Sequence, residues 1–141
     1  MIELNDDALC FDDVLLVPQD TSVESRHSVD LRMDIGGTAL AELELPLIAA
    51  PMDTVCGPEM CIAMAENGGL GILHRYMEND EQLKIAKSLV KKDYAFGVAI
   101  SSVNGYMSQA QRLVDIGVDT FCVDTANGHS HFAVEAVKDL R

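Results

Sequence analysis

The fold of this chain is decided by residues 70–100, which read LGILHRYMENDEQLKIAKSLVKKDYAFGVAI. The stretch begins and ends with short apolar runs, at 70–74 and 95–100, that show no regular alternation with polar residues. Continuous runs of this length are typical of strands buried on both faces, as in a parallel sheet. The segment between them predicts a helix over 80–92, so the stretch is a strand–helix–strand unit.

The helix prediction depends on apolar spacing and on the charges at the two ends. The apolar positions that recur at helical spacing are Leu83, Ile85, Ala86, Leu89 and Val90. Asp80 stands where a side chain can cap the start of the helix, and Lys91 and Lys92 stand at its negative end.

The same alternation extends outward in both directions. Two more strands are predicted at 47–52 and 120–124, and further helices at 57–67, 105–116 and 131–140. The order βαβαβαβα is half of a (β/α)8 barrel, and the 141 residues are fewer than the about 250 of a whole barrel. We therefore predict an α/β fold: the first four units of a (β/α)8 TIM barrel over 46–141, after an irregular segment over 1–45. The pattern alone also allows a small doubly wound sheet of the flavodoxin type.

Three local signals accompany this prediction. Residues 12–18 form a short apolar run stopped by Pro18 and are expected to be a strand or an extended arm. A turn is predicted at 36–37, where two glycines are adjacent, and Gly68 with Gly69 is expected to close the first barrel helix.

The net charge and the lack of long apolar runs disfavour several kinds of partner and location. The net charge of −13 disfavours binding to nucleic acid and to an anionic membrane surface, but it allows a phosphorylated small molecule held by backbone N–H groups. The chain starts without a basic, apolar leader, and no apolar run approaches about 18 residues. We therefore expect a cytoplasmic protein whose four cysteines are reduced.

Polar residues follow every predicted barrel strand. Met52, Asp53 and Thr54 follow the first, 74–76 the second, 101–104 the third and 124–130 the fourth. The carboxyl ends of parallel strands hold the active sites of barrels, so these segments are expected to form one site. The simpler interpretations are that Asp53 and Thr54 cap the first helix, that Arg75 is solvated surface and that Asp124 belongs to a capping network. The sharper interpretation of Asp124 is a contact to a ribose hydroxyl.

The histidines and cysteines predict no metal site. His129 and His131 flank a helix start, but no third ligand is evident near them. The cysteines are interpreted as structural, with Cys122 a small core side chain. Cys56 follows a strand end, so a reactive thiol is conceivable there, although nothing near it in the sequence is expected to lower its pKa.

Five blocks of this sequence, in order, resemble the IMP dehydrogenase/GMP reductase family. They are FDDVLLVP at 11–18, SR at 25–26 with VDL at 29–31, MDTV at 52–55, GGLGILHR at 68–75 and DTANGHS at 124–130. Each block alone is weak, but together they cover essentially the whole chain. The resemblance implies a purine-nucleotide oxidoreductase in which a catalytic cysteine forms an adduct at C2 of the purine and a nicotinamide cofactor carries the hydride.

The resemblance also assigns residues. Ala50, Met52, Asp53 and Arg75 match substrate-side positions, and Asp124, Thr125, Ala126 and Asn127 match the cofactor side, with Asp124 at the nicotinamide ribose. No catalytic residue is carried over to this chain, because the family's cysteine loop, phosphate-binding loops and acid/base region lie beyond Arg141. We therefore predict that these 141 residues alone are inactive.

On the direction of the reaction, the resemblance favours GMP reductase, with IMP dehydrogenase as the alternative. Ala50, the 25–31 block, residues 126–128 and the absence of a CBS insertion at 91–94 favour GMP reductase, which uses NADPH to convert GMP to IMP and ammonia. Pro51 and the segment 63–69 favour an IMP dehydrogenase without CBS domains, which would use NAD and a monovalent cation whose ligands lie outside this chain.

The expected partners are a purine mononucleotide and the remaining half of the barrel, in the same or a second chain, within a homo-oligomer that is commonly a tetramer in the family. A half barrel exposes two strand edges, so a non-catalytic remnant that acts by binding or self-association is the alternative of another class.

Overall fold

The computed structural model describes residues 9–35 and 42–141. The chain divides into two compact units, Met1–Asp30 and Leu31–Arg141. In the described part of the first unit, short 3-10 helices at Phe11–Asp13 and Arg26–Ser28 are the regular elements. The segment predicted as a strand or extended arm thus begins with a helical turn, in which the Cys10 N–H donates to the Asp13 carboxylate at 2.9 Å, and continues without a strand.

The second unit contains six strands and four helices among its described residues. The strands are β1 Met33–Asp34, β2 Glu42–Leu43, β3 Ile48–Ala49, β4 Leu70–Leu73, β5 Phe96–Ile100 and β6 Phe121–Val123. The helices are α1 Pro58–Glu66, α2 Asn79–Lys91, α3 Tyr106–Val114 and α4 His131–Asp139. The predicted barrel elements are all present, most of them with shorter ends, and α2 is shifted by one residue toward the N-terminus.

The sheet topology decides between the two folds that the pattern allowed. Strands β3, β4, β5 and β6 pair in sequence order and all in parallel. A doubly wound sheet places strands that are not consecutive side by side and has a switch point where the order reverses. The flavodoxin-type alternative is therefore wrong, and the prediction of four consecutive barrel units is confirmed.

The two faces of this sheet carry different cores. One face packs on the helices through Leu73, Phe96, Val98 and Ile100, all buried. The opposite face carries Leu70, Ile72 and Ala99, with Leu43 of β2 and the partly buried Ile35 packed against them. The β1–β2 hairpin thus belongs to the second core, although the sequence analysis predicted no strand at 33–34 or 42–43.

The sequence did not predict the β1–β2 hairpin, because its strands are very short. Each of its strands is two residues long, with Met33 opposite Leu43 and Asp34 opposite Glu42, too short to show an apolar period. The turn predicted at 36–37 lies outside the described residues.

Helix ends follow the sequence signals in three places and depart from them in one. Gly68 and Gly117 take left-handed φ values of 76° and 101° just beyond α1 and α3, as helix-closing glycines do, and Lys91 ends α2. Asp80, however, does not cap α2. The helix begins one residue earlier, with Glu78 at the cap position, and the Asp80 carboxylate pairs with Arg112 of α3 instead.

Two buried glutamines connect the helices to the carboxyl ends of the strands. Gln82 of α2 is 2% exposed, and its side-chain amide donates to the carbonyl of Ala99 at 2.9 Å and to that of His74 at 3.1 Å. The Gln82 carbonyl oxygen accepts from Gln109 of α3 at 3.1 Å. Gln82 therefore joins β4, β5 and both helices at the edge where the predicted site residues lie.

The Gln82 network gives a stability prediction. Replacing Gln82 by Met keeps the volume but leaves buried carbonyls and the Gln109 amide without their partner, so the free energy of unfolding is expected to fall by about 1–3 kcal/mol. Urea denaturation followed by circular dichroism measures this loss.

Gln111→Met is the matched control, because Gln111 lies on α3 but is exposed. This control is expected to change stability by less than about 0.5 kcal/mol. Equal losses in the two variants would contradict the role assigned to Gln82.

Candidate functional site

The carboxyl ends of β4 and β6 are joined by an ion pair that crosses over β5. Arg75, two residues after β4, places Nε 2.9 Å from Oδ2 of Asp124, the first residue after β6. Both side chains are partly buried, with 33% and 22% of their surface exposed. The structure thus brings together two site residues that are 49 positions apart in the sequence.

Tyr76 orients both members of this pair. Its hydroxyl lies 3.4 Å from Oδ2 of Asp124, and the Arg75 guanidinium lies 5.1 Å from the centre of its ring, within cation–π range. The Tyr76 N–H donates to Nδ1 of His74 at 3.2 Å, which fixes the turn after β4. Because Arg75 and Tyr76 both contact Oδ2, Oδ1 of Asp124 accepts no hydrogen bond from the described residues. Asp124 therefore does not belong to a capping network.

The loop after β3 presents the residues predicted for the substrate side. Ala50, Met52 and Asp53 are all exposed, and Met52 has half of its surface accessible. The carbonyl of Met52 accepts from the N–H groups of Val55 at 3.0 Å and Cys56 at 2.9 Å, which closes a turn.

The helix-capping interpretation of Asp53 and Thr54 is wrong. The cap position of α1 is Gly57, which offers no side chain, and Pro58 begins the helix. A helix that begins with proline needs one fewer N–H partner, so α1 starts without a carboxylate cap.

The loop after β6 holds the other predicted cofactor-side residues. Thr125 is partly buried, and Ala126 and Asn127 are exposed. The Asn127 side-chain oxygen accepts from the His129 N–H at 3.0 Å, and Ser130 caps α4 by accepting from the Ala133 N–H at 3.2 Å. The capping function near this strand end thus belongs to Ser130 and not to Asp124.

A cavity of about 510 Å³ lies between the β5–α3 loop and the start of α4. It is lined by Ser102, Val103, Asn104, Tyr106, His131, Phe132 and Glu135. Phe132 and Val103 are 62% and 44% exposed, so the wall is apolar and open to solvent. Val103 lies in the segment 101–104 that the sequence analysis expected at the site, whereas sequence reasoning missed Phe132, although an aromatic residue at a helix start was a visible signal.

The pKa of one cysteine, Cys56, departs from what the sequence predicted. Burial and the nearby Asp124 carboxylate raise the pKa of Cys122, in keeping with a core thiol. Cys56 and Cys61 are both wholly buried, and their Sγ atoms lie 3.6 Å apart. The hydrogen bond with Cys61 lowers the pKa of Cys56 and raises that of Cys61. A neighbour five residues along the chain thus does lower the pKa of Cys56, contrary to the sequence-based expectation.

Two further features of residues 9–35 and 42–141 concern metal ions and membranes. No group of three or more His, Cys, Asp or Glu side chains is arranged there to hold a metal ion, and His129 and His131 are both exposed. No helix in the same ranges is long and apolar enough to cross a membrane.

Comparison with known proteins identifies the family. The model of the IMP dehydrogenase / GMP reductase domain matches residues 8–141. The chain is 43% identical over 110 residues to an inosine-5'-monophosphate dehydrogenase of Korarchaeum cryptofilum, covering 76% of this chain and 22% of that protein. It is 38% identical over 90 residues to a GMP reductase of Leishmania donovani, covering 64% of this chain and 18% of that protein.

A solved structure supports the same relation. The crystal structure of the inosine 5' monophosphate dehydrogenase from Legionella pneumophila superposes with a TM-score of 0.76 at 35% identity, over 96% of this chain and 41% of that one. The chain therefore spans less than half the length of the relatives that it matches. On the match across residues 8–141 and the shared arrangement of strands, this chain belongs to the IMP dehydrogenase/GMP reductase family.

Proposed function

We propose that this chain forms the front half of a cytoplasmic, NAD(P)-dependent oxidoreductase that acts at C2 of a purine mononucleotide, in the direction of GMP reductase. The observation that carries the proposal is the Arg75–Asp124 pair at the carboxyl edge of the sheet. It leaves one carboxylate oxygen, Oδ1 of Asp124, without a hydrogen-bond partner among the described residues.

In this proposal the cofactor side of the site is built from Asp124, after β6, and from the cavity between the β5–α3 loop and the start of α4. A carboxylate oxygen with a free lone pair is the group that accepts hydrogen bonds from ribose hydroxyls in dinucleotide sites. The apolar wall formed by Val103 and Phe132 suits a flat ring, which an aromatic side chain can stack upon. These residues fit NADPH, with NAD as the alternative, and the bound nicotinamide would supply the hydride chemistry.

The substrate side is built from the loop after β3 and from Arg75. The exposed Met52 offers an apolar surface to a purine ring, and Ala50 and Asp53 flank it. Arg75 is held by Asp124 and Tyr76, so its position is fixed before a ligand arrives. Thr125, Ala126 and Asn127 line the groove between the two sides in this proposal.

These residues bind and orient, but they do not supply the nucleophile. Burial and the Asp124 carboxylate raise the pKa of Cys122, and Cys56 is 0% exposed, so a purine ring cannot reach its sulfur. Neither matches the family's catalytic position. The covalent step at C2 would therefore use a cysteine outside these 141 residues.

Two sets of observations bear on whether the enzyme reduces GMP or oxidises IMP. Ala50, the block at 25–31 and residues 126–128 favour GMP reductase. Pro51, the segment 63–69 and the 43% identity to an IMP dehydrogenase favour the second candidate, oxidation of IMP with NAD and a monovalent cation. An assay of the full-length protein with GMP and NADPH against IMP and NAD separates the two.

The four-stranded sheet has two edge strands that a second half of the barrel would cover. Strands β3 and β6 are the edges of the four-stranded sheet, and Ile48 on β3 is 54% exposed. A closed barrel has no such edges, so the remaining four units, in the same or a second chain, are proposed to pair with them. Assembly into a homo-oligomer, as the family commonly forms tetramers, would follow closure.

Substitution of Asp124 tests the cofactor side of the site. Asp124→Asn is expected to weaken NADPH binding by about 10- to 100-fold, because a hydrogen bond to a charged acceptor contributes about 1.5–3 kcal/mol. Titration of NADPH fluorescence against the protein measures this change, and the melting temperature shows whether the variant remains folded.

Asp119→Asn is the matched control, since Asp119 precedes β6 and lies at the opposite end of that strand. It is expected to leave NADPH affinity unchanged. Equal weakening in the two variants, or no NADPH binding by the unsubstituted chain, would contradict the cofactor side of the proposal.

A second prediction concerns turnover. The 141-residue chain alone is expected to show no change in absorbance at the nicotinamide band with GMP and NADPH or with IMP and NAD, because the chain supplies no nucleophile. Adding the C-terminal barrel half of a related enzyme as a separate chain is expected to restore turnover.

Turnover by the chain alone would contradict the assignment of the nucleophile to residues outside it. A stable homodimer that binds neither purine nucleotide nor cofactor would instead favour the non-catalytic remnant.

A further inference from the structure

The pair formed by Cys56 and Cys61 is not used by the proposed reaction. The two residues lie on either side of the start of α1, five positions apart, and both side chains are 0% exposed. Their Sγ atoms are 3.6 Å apart, whereas a disulfide holds them at about 2.05 Å. Rotation of the side chains and a small backbone shift would close this gap.

The surroundings hold the two thiols against each other. Strand β4 passes directly behind them at Gly71, where an added Cβ would lie 2.6 Å from Cα of Cys61 and within 3.3 Å of both sulfur atoms. A glycine at this position therefore makes room for the pair. The Ile72 N–H and the Cys61 thiol both stabilise negative charge on the Cys56 sulfur, and together they lower the pKa of Cys56 despite its burial.

We infer that Cys56 and Cys61 are an oxidisable dithiol, a site of reversible disulfide formation by peroxides, whose closure disturbs the loop that follows β3. In the first step the Cys56 thiolate attacks one peroxide oxygen, the O–O bond breaks, and a sulfenic acid and hydroxide form. In the second step the Cys61 sulfur attacks the Cys56 sulfur, the S–O bond breaks, and the thiol proton leaves in water. Two thiols and one hydrogen peroxide thus give one disulfide and two waters.

The coupling to the site runs through the main chain of Cys56. Its N–H donates to the carbonyl of Met52 at 2.9 Å, and its carbonyl accepts from the His74 N–H at 3.2 Å. One residue therefore holds both the turn that presents Met52 and the end of β4 from which Arg75 projects. A shift of Cys56 toward Cys61 strains both hydrogen bonds.

The test uses the chain with Cys10→Ser and Cys122→Ser, so that the pair supplies the only thiols. A slight excess of hydrogen peroxide is expected to remove both free thiols in a thiol titration, and dithiothreitol is expected to restore them. A glutamate-specific protease cuts after Glu59 and separates Cys56, in residues 45–59, from Cys61, in residues 60–66. The oxidised sample is expected to give these two peptides joined by a disulfide.

Amide hydrogen exchange tests the coupling. In the oxidised form the amides of Cys56 and His74 are expected to exchange faster by about an order of magnitude, because their hydrogen bonds are strained. The amide of Val98, which donates to Thr120 at 2.9 Å at the far end of β6, serves as an internal reference and is expected to be unchanged.

Single variants test the order of the two steps. In Cys61→Ala, peroxide is expected to leave Cys56 as a sulfenic acid that dimedone traps, and in Cys56→Ala it is expected to leave Cys61 unmodified. Three results would overturn the inference: both thiols remain free in peroxide, the cross-link forms between chains, or Cys61 is the residue trapped. Unchanged exchange at Cys56 and His74 in a fully cross-linked sample would overturn the coupling.

Discussion

The parallel, consecutive pairing of β3 to β6 is the constraint on which the rest of this structure depends. Since all four strands run the same way, their carboxyl ends meet at one edge, and residues far apart in the sequence become neighbours there. The strands are spaced about 4.8 Å apart, so a group after β4 must reach across β5 to meet one after β6. Arginine is long enough to do so, and Arg75 meets Asp124 at 2.9 Å.

Buried hydrogen bonds, and not apolar packing alone, hold the carboxyl ends of β4 and β5 in place. Gln82 binds carbonyls at the ends of β4 and β5, and Gln109 binds Gln82. Among the described residues, no buried side-chain nitrogen or oxygen lacks a hydrogen-bond partner. A satisfied network of this kind fixes one arrangement of strands and helices, because any shift leaves buried groups unpaired. The carboxyl ends of β4 and β5, and with them the turn that carries Arg75, are therefore held by buried residues of α2 and α3.

The close packing of α1 against β4 accounts for the position of the Cys56–Cys61 pair. Gly71 lets α1 approach β4 so closely that Cys61 and Cys56 share the space that a larger side chain on the strand would fill. Close packing converts a small movement at Cys56 into a movement of the loop that carries Met52 and of the residues after β4. The candidate site and the Cys56–Cys61 pair thus lie in one region of the fold.

The sequence by itself determined the strands and helices of the barrel half and the polar character of the strand ends. It could do so because buried strands and amphipathic helices each leave a local pattern of apolar residues. The family blocks at 52–55, 68–75 and 124–130 also marked the segments that form the edge. The β1–β2 hairpin left no such pattern, since its strands are two residues long.

Only the tertiary structure decided which residues meet. The pairing of Asp80 with Arg112, the approach of Arg75 to Asp124 and the glutamine network each join residues from different elements, and no local period records such contacts. The acidity of Cys56 also depends on the Ile72 N–H, on a strand that packs against it. Local patterns specify what each segment becomes, whereas the sheet order and the packing of helices on it specify which side chains come within a few ångströms of one another.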